Sequence, residues 1–243
     1  MIRGEQQGYL SATLHPWSCF LFLLPLLAIY EAGVVWLGGP SPDALRNGAD
    51  AWLRWSLQSF GLPHVYCAPL FLVLLFLIWS VRRWRDRPAN AVEIWMGMVA
   101  ESAFYAVGLW LLSRGLGPLL DELGVRLNWT CSQQVTGQVI TFVGAGIYEE
   151  AIFRLFLCLA LRGLLMIVAT PGWIAWPVVL IVSSLVFAAA HHIGPYGEPF
   201  HRFVFVFRAL AGLYFSLLYQ TRGFGIAVGA HAGYDVLVGV LMA

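Results

Sequence analysis

Three ionisable residues lie within six positions of one long apolar stretch. Glu149, Glu150 and Arg154 stand inside the hydrophobic run 139–165. Insertion scales put the cost of a charged side chain at the centre of a membrane helix at about 2.5–3.5 kcal/mol, so such groups need partners, water or both. The pattern predicts a polar cavity inside a helix bundle. A packed network of charges between helices is the alternative.

Helix geometry separates the roles of these three side chains. Glu150 and Arg154 are four positions apart with the acid on the N-terminal side, the order that favours an ion pair. At about 3.6 residues per turn, Glu149 points roughly 100° away from Glu150. We therefore predict one structural pair, Glu150 with Arg154, and one carboxylate, Glu149, that is available for chemistry.

Two further polar sites stand in separate apolar stretches. His191 follows Phe187 by four positions, and His231 precedes Asp235 by four, so each pair shares one helix face. A carboxylate base near supported imidazoles is what water activation or metal binding requires. A single histidine in an apolar helix is more often bonded to a backbone carbonyl. The combination of three such sites favours a common active site.

The elements that must position these residues are membrane helices. The 243-residue chain is 60% hydrophobic and 11% charged, with a mean hydropathy of +0.75, which excludes a soluble domain and indicates a lipid bilayer as its surroundings. A net charge of +1 without a basic stripe argues against a nucleic-acid partner. Four isolated cysteines form no zinc knuckle or redox dithiol.

Seven apolar stretches predict an all-α, polytopic transmembrane bundle. They cover about 17–37, 65–81, 91–112, 135–165, 176–192, 203–219 and 224–242. No long polar linker divides them, so we expect a single domain over 1–243. Segment 38–63 predicts a short amphipathic helix on the membrane surface, and 113–134 an exterior loop with another.

The remaining intramembrane charges need partners too. We expect Glu101 to pair with a neighbouring arginine and Arg208 to find a counter-charge. Glu31 lies far enough along the first stretch to be either interfacial or functional.

Arginines set the expected orientation. Arg82, Arg83, Arg85 and Arg87 lie between the second and third stretches, which places that turn and the N-terminus in the cytoplasm. His191 then lies near the exterior end of the fifth span, whereas His231 lies early in an outward-running seventh. These depths agree only if a helix is tilted or broken, or if the positive-inside assignment is wrong for the C-terminal half. The sequence therefore does not predict which face the cavity opens to.

The order of the motifs resembles that of the CAAX-processing and bacteriocin-processing (CPBP, Abi-type) intramembrane proteases. In that family Glu-Glu-x-x-x-Arg, Phe-x-x-x-His and His-x-x-x-Asn occur in successive transmembrane helices. The matching residues here are Glu149, Glu150, Arg154, Phe187, His191, His231 and Asp235. The likeness covers 135–243, which we therefore expect to be the catalytic core.

The resemblance implies hydrolysis of a peptide bond in a membrane protein or a lipidated peptide. It implies that Glu149 and His191 activate water and that His231 and Asp235 stabilise the oxyanion or complete the site, while Arg154 anchors Glu150. Asp235 departs from the commoner Asn. Because ionised aspartate cannot donate a hydrogen bond, an oxyanion role requires it to be protonated. Otherwise it orients His231 or ligates a metal.

Two mechanisms and three functions stay open at this stage. A divalent metal such as zinc, held by Glu149, His191 and His231, would lower the pKa of bound water toward about 7. Equally, Glu149 would act as the general base with no metal. The alternative to a protease is a proton- or ion-coupled transporter, since buried Glu, His and Arg residues also form proton relays. A catalytically inactive scaffold is the third. The expected location is a bacterial inner (plasma) membrane.

Overall fold

Helices account for almost all of the residues that the structure describes. The computed structural model describes residues 8–39, 45–61, 66–121, 135–194 and 197–241, and within these ranges there is no β-strand, which confirms the all-α prediction. The α-helices are α1 (Tyr9–Thr13), α2 (Pro16–Gly38), α3 (Gly48–Ser59), α4 (Cys67–Arg82), α5 (Ala91–Asp121), α6 (Val135–Glu150), α7 (Cys158–Ile167), α8 (Gly172–Ala190), α9 (Arg202–Arg222) and α10 (Phe224–Val236). Segments Ala151–Leu157 and Leu237–Leu241 are π-helical, and Trp84–Asp86 is 3₁₀-helical.

Each of the seven predicted spans coincides with a helix or a continuous helical run. Four helices are long and apolar enough to cross a membrane: α2, α5 over Ala91–Gly115, α8 and α9. Two more runs, α4 and Phe224–Val240, are apolar but shorter. The seventh is the unbroken run formed by α6, the first π segment and α7. The protein is an integral membrane protein.

Two boundaries differ from the predictions. The third helix continues to Asp121, so the loop predicted to begin at Ser113 is wrong over its first nine residues. The rest of that predicted loop, 122–134, lies outside the described residues. The predicted surface helix in 38–63 is α3, and it begins directly after Asn47, whose side-chain Oδ1 accepts from the Ala49 backbone N–H at 2.7 Å. That bond satisfies one of the free donors at a helix N-terminus.

Helix α10 lies in the middle of the bundle, in contact with α2, α5, α6 and α9. Its first residues, Phe224, Ile226 and Val228, are buried, so the helix begins inside the protein. Gly146 allows the close approach of α6, because a Cβ at this position would lie 2.8 Å from both the Ala232 Cβ and the Val228 carbonyl oxygen. This contact brings the two glutamates of α6 beside α10.

The arginine-rich turn and α3 lie at opposite ends of α2. The Trp84 ring packs edge-on against the Trp17 ring at a centroid distance of 4.9 Å, which places the turn beside the start of α2. Helix α3 follows the end of α2 and packs against α4 and α6. Because α2 has 23 residues and rises about 1.5 Å per residue, it separates the arginine-rich turn from α3 by roughly 30 Å.

The two intramembrane charges that needed partners have them. Arg222 Nη2 donates to Glu101 Oε2 at 2.8 Å, as predicted for Glu101. Arg208 Nη2 donates to both carboxylate oxygens of Glu198, at 2.8 and 3.0 Å. Glu198 lies in the segment between α8 and α9, so this pair ties that segment to α9.

Candidate active site

The Glu149 carboxylate faces both predicted imidazoles. Its Oε2 lies 3.7 Å from His191 Nε2 and 3.9 Å from His231 Nε2. Both separations are too long for a direct hydrogen bond but suit one bridging water. The three side chains come from the end of α6, the residue after α8 and the middle of α10. The depth conflict expected from the sequence does not arise, because these distances place both imidazoles beside one carboxylate.

His191 has a defined tautomer. Its Nδ1 lies 2.8 Å from the Phe187 carbonyl oxygen, one turn earlier in α8. A carbonyl only accepts, so Nδ1 carries the proton and, in the neutral ring, Nε2 keeps its lone pair toward Glu149. The Phe187 ring also packs edge-on against this imidazole at 4.9 Å. Phe187 therefore fixes His191 through both its backbone and its side chain.

Glu150 links Arg154 to His231. The predicted ion pair is present, with Arg154 Nε 3.2 Å from Glu150 Oε2, and both side chains are completely buried. The other oxygen, Oε1, lies 2.7 Å from His231 Nδ1. Sequence reasoning found the ion pair but missed the bond to His231, which joins residues 81 positions apart. That bond orients the ring so that Nε2 points toward Glu149.

Aromatic rings enclose the buried guanidinium. Arg154 lies over the Phe187 ring at 4.4 Å and near the Phe215 ring at 5.6 Å, and its Nη2 donates to the Gly212 carbonyl at 3.0 Å. Phe215 also stacks on His231, with centroids 4.4 Å apart. No sequence signal marked Phe215 beyond its place in an apolar run. The same two rings thus contact both the Arg154 cation and the His231 imidazole.

The helix changes its winding directly after the two glutamates. Residues Ala151–Leu157 form a π-helix, where the sequence predicted regular α-helix. Single π-helical turns inside α-helices are frequent at functional sites. Arg154 lies within this segment and still reaches Glu150.

Asp235 lies on the reactive side of His231. Its Oδ2 is 3.5 Å from His231 Nε2, the nitrogen that also faces Glu149. Because Glu150 already holds Nδ1, Asp235 is not needed to orient the ring.

Asn47 is a site residue that the sequence did not reveal. Its Nδ2 donates to Glu149 Oε1 at 3.0 Å. The only available signal was Asn47 preceding Gly48 at the start of a short amphipathic pattern, which predicts a helix cap and nothing about Glu149.

A cleft of about 660 Å³ opens onto this group. Glu149, His191 and Glu198 are among its polar lining residues, and Trp52 and Trp55 of α3 contribute aromatic surface. A mainly apolar cleft with a few convergent polar groups is the usual form of a ligand site.

The proposed metal ligands stay a prediction. Within the described ranges, no group of three His, Cys, Asp or Glu side chains has the arrangement of a metal site. One ring nitrogen of each imidazole is engaged, by Phe187 and by Glu150, and His231 Nε2 faces Asp235 as well as Glu149. A hydrogen bond to the second ring nitrogen is also the usual support of a metal-ligating histidine, so these contacts are compatible with both mechanisms.

Residues 132–237 match the family model described as type II CAAX prenyl endopeptidase, Rce1-like. Over this segment the chain is similar to the Rce1-like family. The predicted resemblance and the predicted enzyme class, an intramembrane protease, are confirmed, and the transporter alternative is not favoured. Neither the search of curated proteins nor the search of solved structures gave a match. The Rce1-like segment includes Glu149, His191, His231 and Asp235, but it excludes α3 and Asn47.

Proposed function

We propose that this protein is an endopeptidase that cleaves prenylated, membrane-associated substrates, with Glu149 as the general base. The observation that carries the proposal is the position of Glu149 Oε2, which faces the Nε2 atoms of both His191 and His231 at the end of the cleft. This arrangement is sufficient to hold and deprotonate one water molecule.

The first step is attack by water on the scissile carbonyl. Water held between Glu149 Oε2 and His191 Nε2 gives a proton to Glu149 as its oxygen bonds to the carbonyl carbon. The carbonyl π electrons move to oxygen and form an oxyanion. Collapse of this tetrahedral intermediate breaks the C–N bond, and Glu149 returns the proton to the leaving amine. The products are a carboxylic acid and an amine, so atoms and charge balance.

His231 and Asp235 face the position where the oxyanion forms. His231 lies among the carboxylates of Glu149, Glu150 and Asp235, and with both ring nitrogens protonated its Nε2–H donates to the oxyanion. Asp235, when protonated, supplies a second donor from the same side. Such donors, fixed before the reaction starts, stabilise charge only as it develops.

The cleft fits a substrate that enters along the membrane surface. Trp52 and Trp55 lie on the cleft side of α3, and Trp55 is 71% exposed. Aromatic side chains of this kind pack against a lipid chain while their polar edges face headgroups. The family description names prenylated CAAX proteins as substrates, and the apolar wall suits a prenyl group beside the peptide.

The test is cleavage of an internally quenched, farnesylated peptide ending in a CAAX sequence, by purified protein in proteoliposomes. Glu149→Gln should lower kcat by about 10²–10⁴-fold, because the amide cannot accept the proton of water. Glu93→Gln is the matched control, since Glu93 lies exposed near the start of α5. Wild-type turnover by Glu149→Gln would rule out the mechanism.

The metal prediction has its own measurement. If Glu149 is the base without a metal, elemental analysis of active protein will show no stoichiometric zinc, and chelators will leave turnover unchanged. Zinc in a 1:1 ratio, lost together with activity on chelation, would instead support binding by Glu149, His191 and His231.

A further inference from the structure

Asn47 uses both ends of its side-chain amide. The carbonyl oxygen, Oδ1, accepts from Ala49 N–H at 2.7 Å and caps α3. The amide nitrogen, Nδ2, donates to Glu149 Oε1 at 3.0 Å. One carboxylate oxygen of Glu149 is thereby engaged, which leaves Oε2 as the oxygen that faces the imidazoles. The bond therefore selects which oxygen acts as the base.

Four charged side chains hold α3 in place, and we refer to them as the α3 charge cluster: Glu31, Arg46, Asp50 and Arg54. Asp50 accepts from Arg46 at 2.9 Å and from Arg54 at 2.6 Å. Glu31 accepts from the same two arginines at 3.3 and 3.1 Å. Two acids and two bases leave the cluster neutral, and the Asp50 side chain is fully buried. Arg46, Asp50 and Arg54 belong to α3 or the turn before it, so the two bonds to Glu31 are the ones that anchor α3 to α2, and displacing α3 would break them.

Two tyrosines connect this cluster to the catalytic carboxylate. Tyr30 Oη donates to Asp50 at 2.9 Å and accepts from the Asn47 backbone N–H at 3.2 Å. Tyr148, the residue before Glu149, donates to Glu31 at 2.9 Å. The cluster thus contacts both partners of the Asn47–Glu149 bond and fixes their separation.

We propose that Asn47 is a positioning residue for Glu149, and that α3 is part of the active site although it lies outside the family-matched segment. This inference rests on the proposed function, since it assigns Asn47 the task of holding the general base. Asn47 touches neither the substrate nor the reacting water, and it acts through Glu149 alone.

Two substitutions separate the positioning role from the capping role. Serine and aspartate cap helices about as well as asparagine, so Asn47→Ser and Asn47→Asp keep α3 while removing the amide donor. In the farnesylated-peptide assay we expect both variants to lower kcat by about 100-fold, the scale of a misplaced catalytic group, with KM unchanged. Asn47→Ser is neutral, so a loss shared with Asn47→Asp does not come from the added charge.

The outcomes distinguish this inference from the proposed function. If Asn47 only caps α3, both variants will turn over like wild type while Glu149→Gln is inactive, and the positioning role is wrong. If Glu149→Gln retains activity, the proposed function is wrong, and the positioning role that depends on it is wrong as well. A rise in KM with kcat unchanged would assign Asn47 to substrate binding and would also overturn the positioning role.

A second measurement does not depend on catalysis. Melting temperatures in detergent for wild type, Asn47→Ser, Glu149→Ala and the double variant form a double-mutant cycle. The contact predicts that Asn47→Ser lowers the melting temperature in the wild-type background and has little further effect once Glu149 is replaced. Additive shifts would show that the two side chains do not interact and would overturn the inference.

Discussion

At the residue scale, two adjacent glutamates differ because of their partners. Glu150 is enclosed, with Arg154 on one oxygen and His231 on the other, and no part of its side chain is exposed. Glu149 receives one bond, from Asn47, and its second oxygen faces the cleft. The i,i+4 spacing predicted the first arrangement. The prediction that Glu149 is the working carboxylate comes from the same spacing and awaits the Glu149→Gln test.

Glu150→Gln should destabilise the protein more than Glu149→Gln does. The amide oxygen can still accept from His231 Nδ1, but the fully buried Arg154 loses its counter-charge. Removing one partner of a buried ion pair costs about 3–5 kcal/mol. Thermal unfolding in detergent measures this effect, with Glu149→Gln as the neighbouring control. Equal melting temperatures for the two variants would contradict the assigned roles.

Asp235→Asn should keep most of the activity, whereas Asp235→Ala should lower kcat by about 10²–10³-fold. Glu150 already orients His231 through Nδ1, and Asp235 faces Nε2 on the reactive side, 3.5 Å away. A donor in this position stabilises the oxyanion, and asparagine donates without needing a proton. Turnover of the farnesylated peptide measures the effect of each substitution. An inactive Asp235→Asn would mean that the carboxylate itself is required.

At the element scale, α3 was predicted as a helix but not as part of the site. Its amphipathic pattern and the Asn47 cap are local features, so a dozen residues of sequence are enough to predict the helix. Its contact with Glu149 joins positions 102 apart, and no property of either segment alone encodes that distance. The π-helix after Glu150 was missed for a related reason, since its winding depends on what packs around it.

Asp50→Asn should loosen α3 and lower both stability and activity. The substitution leaves Arg46 and Arg54 to share Glu31 in a largely buried cluster. We expect a loss of about 3 kcal/mol or more, since buried charges lose their partner, and a lower kcat because Asn47 moves with α3. The control is Asp86→Asn, whose pair with Arg83 is more than half exposed and should contribute little.

The segment between α8 and α9 should respond to acid only below the usual glutamate range. Burial raises the pKa of Glu198, but the hydrogen bond and charge of Arg208 outweigh burial and hold that pKa below its usual value. The pair therefore contributes at neutral pH and is lost as pH falls through the depressed pKa.

The Gly197 and Glu198 N–H groups donate to the Gly194 and His191 carbonyls, and their hydrogen-exchange protection should stay constant from neutral pH through the usual glutamate range and fall only below it. Glu198→Gln should lower the protection at neutral pH and remove its acid dependence. Because Glu198 is more than half exposed, the effect on global stability should stay below about 1 kcal/mol. Loss of protection already at mildly acidic pH in the wild type would contradict the assignment.

At the scale of the whole molecule, hydropathy predicted the helices well and their depths poorly. An apolar run that is long enough to span the bilayer has few alternatives to a membrane helix. All seven predicted spans therefore coincide with helices in the structure. The sequence placed His191 and His231 at different depths, whereas the structure brings their Nε2 atoms to 3.7 and 3.9 Å from the same Glu149 oxygen. Hydropathy locates the helices but does not give the tilt and packing that set the depth of a side chain.

The final prediction concerns the two ends of the bundle. Helix α2 separates the cleft from the arginine-rich turn, so a membrane-impermeant maleimide should label the two sites from opposite sides. In a background without the native cysteines, Asp86→Cys marks the turn and Ser56→Cys marks the cleft. The positive-inside rule predicts that Asp86→Cys is labelled only from the cytoplasmic side and Ser56→Cys only from the other. If each cysteine is labelled from the side opposite to the one predicted, the orientation in the membrane is wrong but the bundle stands. If both cysteines are labelled from the same side, the placement of the cleft is wrong.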